Sequence, residues 1–265
     1  MLNRKEFIKT SSVALACLAG GCVNDRSYEK VVKSIRFEMI HIKASIENRL
    51  KLAKLAGFDA IEVNSQGYER TEMQKALKST EMKVVSVYHS DNWSRSISSL
   101  NERERQSAVS SVLASIETAE LYGADFVQLL PGKEVEAFGV DGKMSLLKSL
   151  QTIAASHSGR VKILLQNFPG ENFNSPEALD SVLSKFSSLS IGICLDTEIA
   201  QKNGELKNWT SLLEKYFSKV DLDEGNFENA GSLLVDTQKL CCLSLDVSGG
   251  GVERIGSLSS EVCVS

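Results

Sequence analysis

Three prolines in 265 residues, with no low-complexity tract, leave no material for an extended linker or a repetitive tail. Basic residues are also thinly spread: 30 Lys and Arg stand against 34 Asp and Glu, and no long Lys/Arg block occurs. A formal net charge of -4 without a basic stripe gives no electrostatic hold on a phosphate backbone, so nucleic acid is not an expected partner. Neither a G-x-G-x-x-G turn after the first strand-like run nor a G-x-x-x-x-G-K-[ST] loop is present, which removes the two commonest glycine-rich phosphate cradles. The six cysteines form no repeated pair of the kind a zinc ribbon needs.

What is present begins with an export signal. Arg4, Lys5 and Lys9 make a positive leader, and residues 11–21 are a small, apolar stretch too short to span a bilayer as a helix. Leu18-Ala19-Gly20-Gly21-Cys22 resembles a lipobox, which makes Cys22 the candidate lipidation site. Asn3 to Lys9 resembles a twin-arginine motif with Lys5 in place of the second arginine. The expected organisation is a signal peptide over residues 1–22 and one domain over 23–265, exported to the periplasm or cell envelope. The membrane is then a partner only through the lipid anchor. Loss of Arg4, Lys5 and Lys9 against one acid, Glu6, makes the mature chain more acidic still.

Beyond the leader, strand and helix patterns alternate. Eight apolar or β-branched runs of strand length fall at 35–40, 58–63, 83–88, 125–130, 161–165, 190–195, 217–222 and 240–247. Helical spacing fills the intervals, as at 45–55, 102–122, 144–155 and 176–186. Glycines follow two helical segments where a helix stop belongs, in Leu55-Ala56-Gly57 and Leu121-Tyr122-Gly123. Regular alternation with hydrophobic strands calls for a parallel sheet covered by helices. Eight such units make a (β/α)8 TIM barrel, with a truncated last helix because few residues follow Gly251. Cys194, Cys241 and Cys242 read as small buried hydrophobes.

Several runs end in polar clusters that carry a resemblance. GFDAIEVN (57–64), VVSVYHSDNW (84–93) and GADFVQLLPG (123–132) resemble the second, third and fourth strands of the xylose isomerase-like family of sugar isomerases and epimerases. LLQNFPG (164–170), CLDTEIA (194–200), KVDLDEG (219–225) and LSLDVSGGG (243–251) resemble its metal-ligand strands. Where that family ends its fifth strand in a Glu-Asn-His cluster, this chain has Gln166-Asn167-Phe168. In place of Leu-Asp-Thr-Gly-His it has Leu195-Asp196-Thr197-Glu198-Ile199, and in place of Val-His-Leu-Lys-Asp-Gly it has Val220-Asp221-Leu222-Asp223-Glu224-Gly225. Asp246 stands where a terminal Glu is expected.

The resemblance implies a divalent ion held by Gln166, Asp196, Asp221 and Asp246. An all-oxygen set favours Mg²⁺, Mn²⁺ or Ca²⁺ over Zn²⁺. It also implies proton transfer on a monosaccharide or an oxidised sugar by His89, Glu62 and Asp246, with Trp93, Asn167 and His41 contacting the sugar. Gln166 removes a charge and a base, because an amide oxygen coordinates but does not take a proton at neutral pH. The alternative is a non-catalytic descendant of the barrel that binds a carbohydrate or a partner at the cell surface. Thermal stabilisation by a metal, abolished by Asp196→Ala, distinguishes the enzyme from this alternative.

Overall fold

The computed structural model describes residues 32–93, 96–132, 140–157, 159–168, 173, 175–187, 190–204, 206–223 and 242–246. The expected signal peptide with Cys22, the expected truncated last helix, and Cys241 lie outside the described residues. Eight strands close a parallel barrel in chain order: β1 Val32–Arg36, β2 Ala60–Asn64, β3 Lys83–Tyr88, β4 Phe126–Leu129, β5 Lys162–Gln166, β6 Ile191–Asp196, β7 Phe217–Asp223 and β8 Cys242–Asp246. β8 returns to pair with β1, Ser34 opposite Ser244, so no strand edge is left open.

The covering helices are α1 Ile46–Leu55, α2 Arg70–Thr80, α3 Glu102–Tyr122, α4 Val140–Ser156, α5 Pro176–Leu183, α6 Thr197–Lys202 and α7 Leu206–Leu213. Their limits follow local chemistry. Ser45, Asn101 and Ser175 accept backbone N–H groups at the starts of α1, α3 and α5. Gly57 and Gly123 leave α1 and α3 at φ 89° and 70°. Among the described residues, no helix is long and apolar enough to cross a membrane.

The first strand differs from the sequence expectation of 35–40. It ends at Arg36, and Phe37–Met39 curls into a 3-10 turn. The alternation of Ile35, Phe37 and Met39 reads as a strand, but tertiary contacts override it. Arg49 of α1 donates from Nε to the Ile40 carbonyl at 2.9 Å and lays its guanidinium 3.8 Å over the Phe37 ring, which packs edge-on against Tyr68.

Apolar side chains occupy two regions. The larger lies between strands and helices. The smaller plugs the barrel interior with Ala60, Val85, Phe126, Leu164, Cys194 and Cys242. Near the N-terminal end of the interior, Gly192 leaves room for its neighbours: a Cβ there would sit 2.6 Å from Lys162 Cε and 2.7 Å from the Tyr216 carbonyl oxygen. Gly192→Ala should therefore destabilise by about 1–3 kcal/mol as an overpacking change, read as a lower urea midpoint with an unchanged slope.

Two register slips decide which side chains point inward. Between β2 and β3, Ile61 pairs with Val84 but Glu62 pairs with Ser86, so Val85 is an extra residue. Between β6 and β7, Ile193 pairs with Phe217 but Cys194 pairs with Lys219, so Ser218 is extra. Each bulge reverses the in-out parity of everything after it. Tyr88 thereby turns inward and His89 outward, and Lys219 and Asp221 turn inward.

Candidate active site

The C-terminal half of the barrel interior is polar. Its floor is centred on Lys219, which is fully buried. The Lys219 ammonium donates to an Asp221 carboxylate oxygen, to Gln128 Oε1 at 3.1 Å and to Cys194 Sγ at 3.5 Å. It also lies 3.1 Å from Glu62 Oε2, an ion contact too poorly aligned to be a hydrogen bond. Ser34 donates to the other Glu62 oxygen at 2.8 Å, and Arg36 donates to Asp221 Oδ2 at 3.1 Å.

Two cations and two carboxylates thus share a space closed to solvent: Glu62 and Lys219 are 0% exposed and Asp221 2%, while the Arg36 side chain, at 23%, reaches the mouth. Burial raises the Asp221 carboxyl, but the Lys219 and Arg36 charges outweigh that and hold it below its ordinary value. Burial opposes the Lys219 charge, yet Asp221, Cys194 and Glu62 lift its proton affinity well above that of a free lysine. Burial pushes both thiols up, Cys242 to about 12, so they remain protonated. Cys194 and Cys242 are free and buried.

Above the floor, half-buried side chains form the rim, tied to the floor through the buried Gln128. Gln128 Nε2 donates to Gln166 Oε1 at 2.8 Å and to Asp221 Oδ2 at 3.3 Å, and Gln166 Nε2 donates to Asp196 Oδ2 at 3.2 Å. On the opposite wall, the Arg36 guanidinium lies 5.7 Å from the Tyr88 ring centroid, and Tyr68 donates its hydroxyl to Glu38 at 2.7 Å. Burial and the Glu38 carboxylate raise both tyrosine hydroxyls well above ordinary phenols, so both are donors throughout the physiological range. Asn64, Ser65 and Ser90 form a hydrogen-bonded cluster beside them.

Three of the four expected metal positions meet here. Asp196 and Asp221 are register partners on adjacent strands, and Gln166 touches Asp196. Asp246 ends β8 in register with Asp223; its side chain lies outside the described residues. The described donors nevertheless do not fit a divalent ion. Asp221 is taken by Lys219, Arg36 and Gln128. Asp196 caps α6 by accepting from the Ile199 N–H at 3.0 Å, and its other oxygen accepts from Gln166. Gln166 turns its amide NH₂, not its oxygen, toward Asp196. Among the described residues, no group of three or more His, Cys, Asp or Glu side chains is placed to hold an ion.

The other expected site residues fall elsewhere. His89 is buried under α3, its Nδ1 2.8 Å from Ser115 Oγ, because the Val85 bulge turns it away from the mouth. Glu62 lies beneath the rim in the Lys219 cluster instead of at the strand end. Asn167 is a clasp: its amide donates to the Asp196 carbonyl at 2.9 Å and its oxygen accepts from the Asp196 N–H at 2.6 Å, which leaves both ends committed to backbone. His41 is exposed in the loop after the first 3-10 turn. Trp93 closes the 3-10 turn Ser90–Trp93, and its side chain lies outside the described residues. Arg36, Glu38, Tyr68, Tyr88, Gln128 and Lys219 were not expected. For those on strands the signal is a polar residue at every second position, as in Lys219-Val220-Asp221-Leu222; Glu38 and Tyr68 lie in a 3-10 turn and a loop and have no such signal.

A closed parallel barrel whose interior turns polar at the C-terminal strand ends has the architecture of the (β/α)8 barrel fold. The chain belongs to the xylose isomerase-like TIM barrel family, whose model matches residues 50–236. Among solved structures it resembles a D-tagatose 3-epimerase-like protein, with TM-score 0.72 and 17% identity over 87% of this chain and 96% of that one. It also resembles a 3-keto-D-glucoside 4-epimerase from E. coli, with TM-score 0.73 and 11% identity over 87% and 98%. An AP endonuclease of family 2 from Brucella melitensis is comparably similar, with TM-score 0.70 and 16% identity over 87% and 98%. At such identities the likeness is one of fold, and the fold carries more than one chemistry. No curated protein matches the chain in sequence.

Proposed function

We propose that this chain is a descendant of sugar isomerase and epimerase barrels that binds a monosaccharide or an oxidised sugar at its mouth and has given up metal-assisted proton transfer. The supporting observation is that the expected bases and ligands whose side chains are described are already committed to other protein groups. Asp221 and Glu62 neutralise Lys219 and Arg36, Asp196 caps a helix, and His89 serves the helix layer. The rim around them is polar and half-exposed, with Arg36, Tyr88 and Tyr68 on one wall and Gln166 and Asp196 on the other, a setting that suits a polyol able to exchange into these hydrogen bonds. The acidic chain gives no support to a nucleic-acid substrate of the kind an endonuclease takes. The export signal, if used, would place such a binder at the cell envelope.

The test pairs binding with exchange. Residues 23–265 are incubated in D₂O with a panel of monosaccharides and their oxidised forms, with EDTA or with Mn²⁺. Melting temperature reports binding, and proton NMR reports loss of sugar C–H signals. A sugar that raises the melting temperature equally with EDTA and Mn²⁺, without deuterium entering its carbon skeleton, is the expected result. Deuterium incorporation or epimer formation would show an active proton-transfer site and refute the proposal.

A further inference from the structure

The barrel's most unusual group is an ammonium at its centre. Lys219 enters from β7 only because Ser218 bulges out of register, and it meets two carboxylates from opposite parts of the ring, Asp221 beside it and Glu62 on β2. Both are sealed from water, so neither can be left uncompensated: an unpaired buried carboxylate costs several kcal/mol. Among the described residues, Glu62 Oε2 accepts no hydrogen bond and has the Lys219 ammonium as its close contact, aimed at the same point in space as Asp221 Oδ1 and Gln128 Oε1.

Three oxygens from β2, β4 and β7 therefore converge on one cation, and that cation is part of the chain. Gln128 supplies a neutral carbonyl-type oxygen and the two carboxylates supply the charge, a donor set of the hard-oxygen type that Mg²⁺ and Mn²⁺ prefer. The point lies on the floor of the cavity, below the rim positions Gln166 and Asp196, which are already hydrogen-bonded to each other.

We infer that Lys219 is a resident cation standing in place of a divalent ion, and that Glu62, Asp221 and Gln128 form a latent metal site which the ammonium occupies. With Lys219 in place, the site has no use for a metal. With the ammonium removed, Glu62 loses its counter-charge and Asp221 keeps only Arg36, on either side of the point the ammonium held, and a divalent ion is the species that relieves them. The inference concerns the cavity floor and holds whether or not a sugar binds at the mouth.

The experiment compares the chain of residues 23–265 with Lys219→Ala, each refolded or dialysed in EDTA and in Mn²⁺, followed by metal analysis and thermal melting. The wild type is expected to retain no stoichiometric Mn²⁺ and to melt at the same temperature in both buffers. Lys219→Ala is expected to be strongly destabilised or unfolded in EDTA and to recover most of the loss in Mn²⁺, with one ion bound per chain. Adding Asp221→Asn to that variant should abolish the recovery, and Lys219→Arg, which keeps the charge, should remain indifferent to Mn²⁺. A wild type that itself binds one Mn²⁺ per chain, or a Lys219→Ala variant that Mn²⁺ does not rescue, overturns the inference.

Discussion

Lys219→Met should cost about 3–5 kcal/mol of folding stability, the range for removing one partner of a buried ion pair. Methionine fills nearly the same volume, so the loss comes from charge and not from a cavity. Arg36 still faces Asp221, but Glu62 keeps only the Ser34 hydrogen bond and no counter-charge. If that account is right, Glu62→Gln in the Lys219→Met background should restore part of the loss, because the amide still accepts from Ser34 without carrying a charge. Glu62→Gln alone should destabilise. Urea denaturation of the four proteins gives the cycle directly, and additive costs in the double variant would show that the two groups are not coupled.

Trp209→Ala should have an effect of similar size, about 3–5 kcal/mol, by a different mechanism. Leu206, Trp209 and Leu213 form the buried stripe of α7, and the indole is fully enclosed between that helix and its neighbours. Its Nε1–H has no hydrogen-bond partner among the described residues. Trp209→Phe should therefore cost much less than Trp209→Ala, since it removes a buried donor that gains nothing and keeps most of the packing. Equal costs for the two variants would mean that the indole nitrogen makes a bond that matters.

The fold was largely legible in the residues. Alternating strand and helix patterns, stopped by Gly57 and Gly123, placed seven of the eight strands within a few residues of where they lie, and α3 within its observed bounds. The exception, the first strand, failed because Phe37 and Met39 alternate as a strand does while Arg49, distant in sequence, binds the carbonyls of the turn they form. The site was less legible. Gln166, Asp196 and Asp221 were singled out by the resemblance of their strands to the family's metal-ligand strands, and they lie together at the barrel mouth. His89 was placed in the mouth because parity along the strand changes at the Val85 bulge, whereas Lys219 was overlooked although it alternates with Asp221 on the same face of β7.

By itself, then, the order of residues determined that this is an eight-unit parallel barrel and that acidic and amide groups gather at one end of it, because hydrophobic periodicity and strand-end chemistry are local properties. Only the closed ring decided what those groups do. A single extra residue at Val85 and another at Ser218 rotate the side chains beyond them by half a turn, sending His89 to the helices and Lys219 to the centre. Pairing between strands sets that rotation, and no pattern within one strand records it.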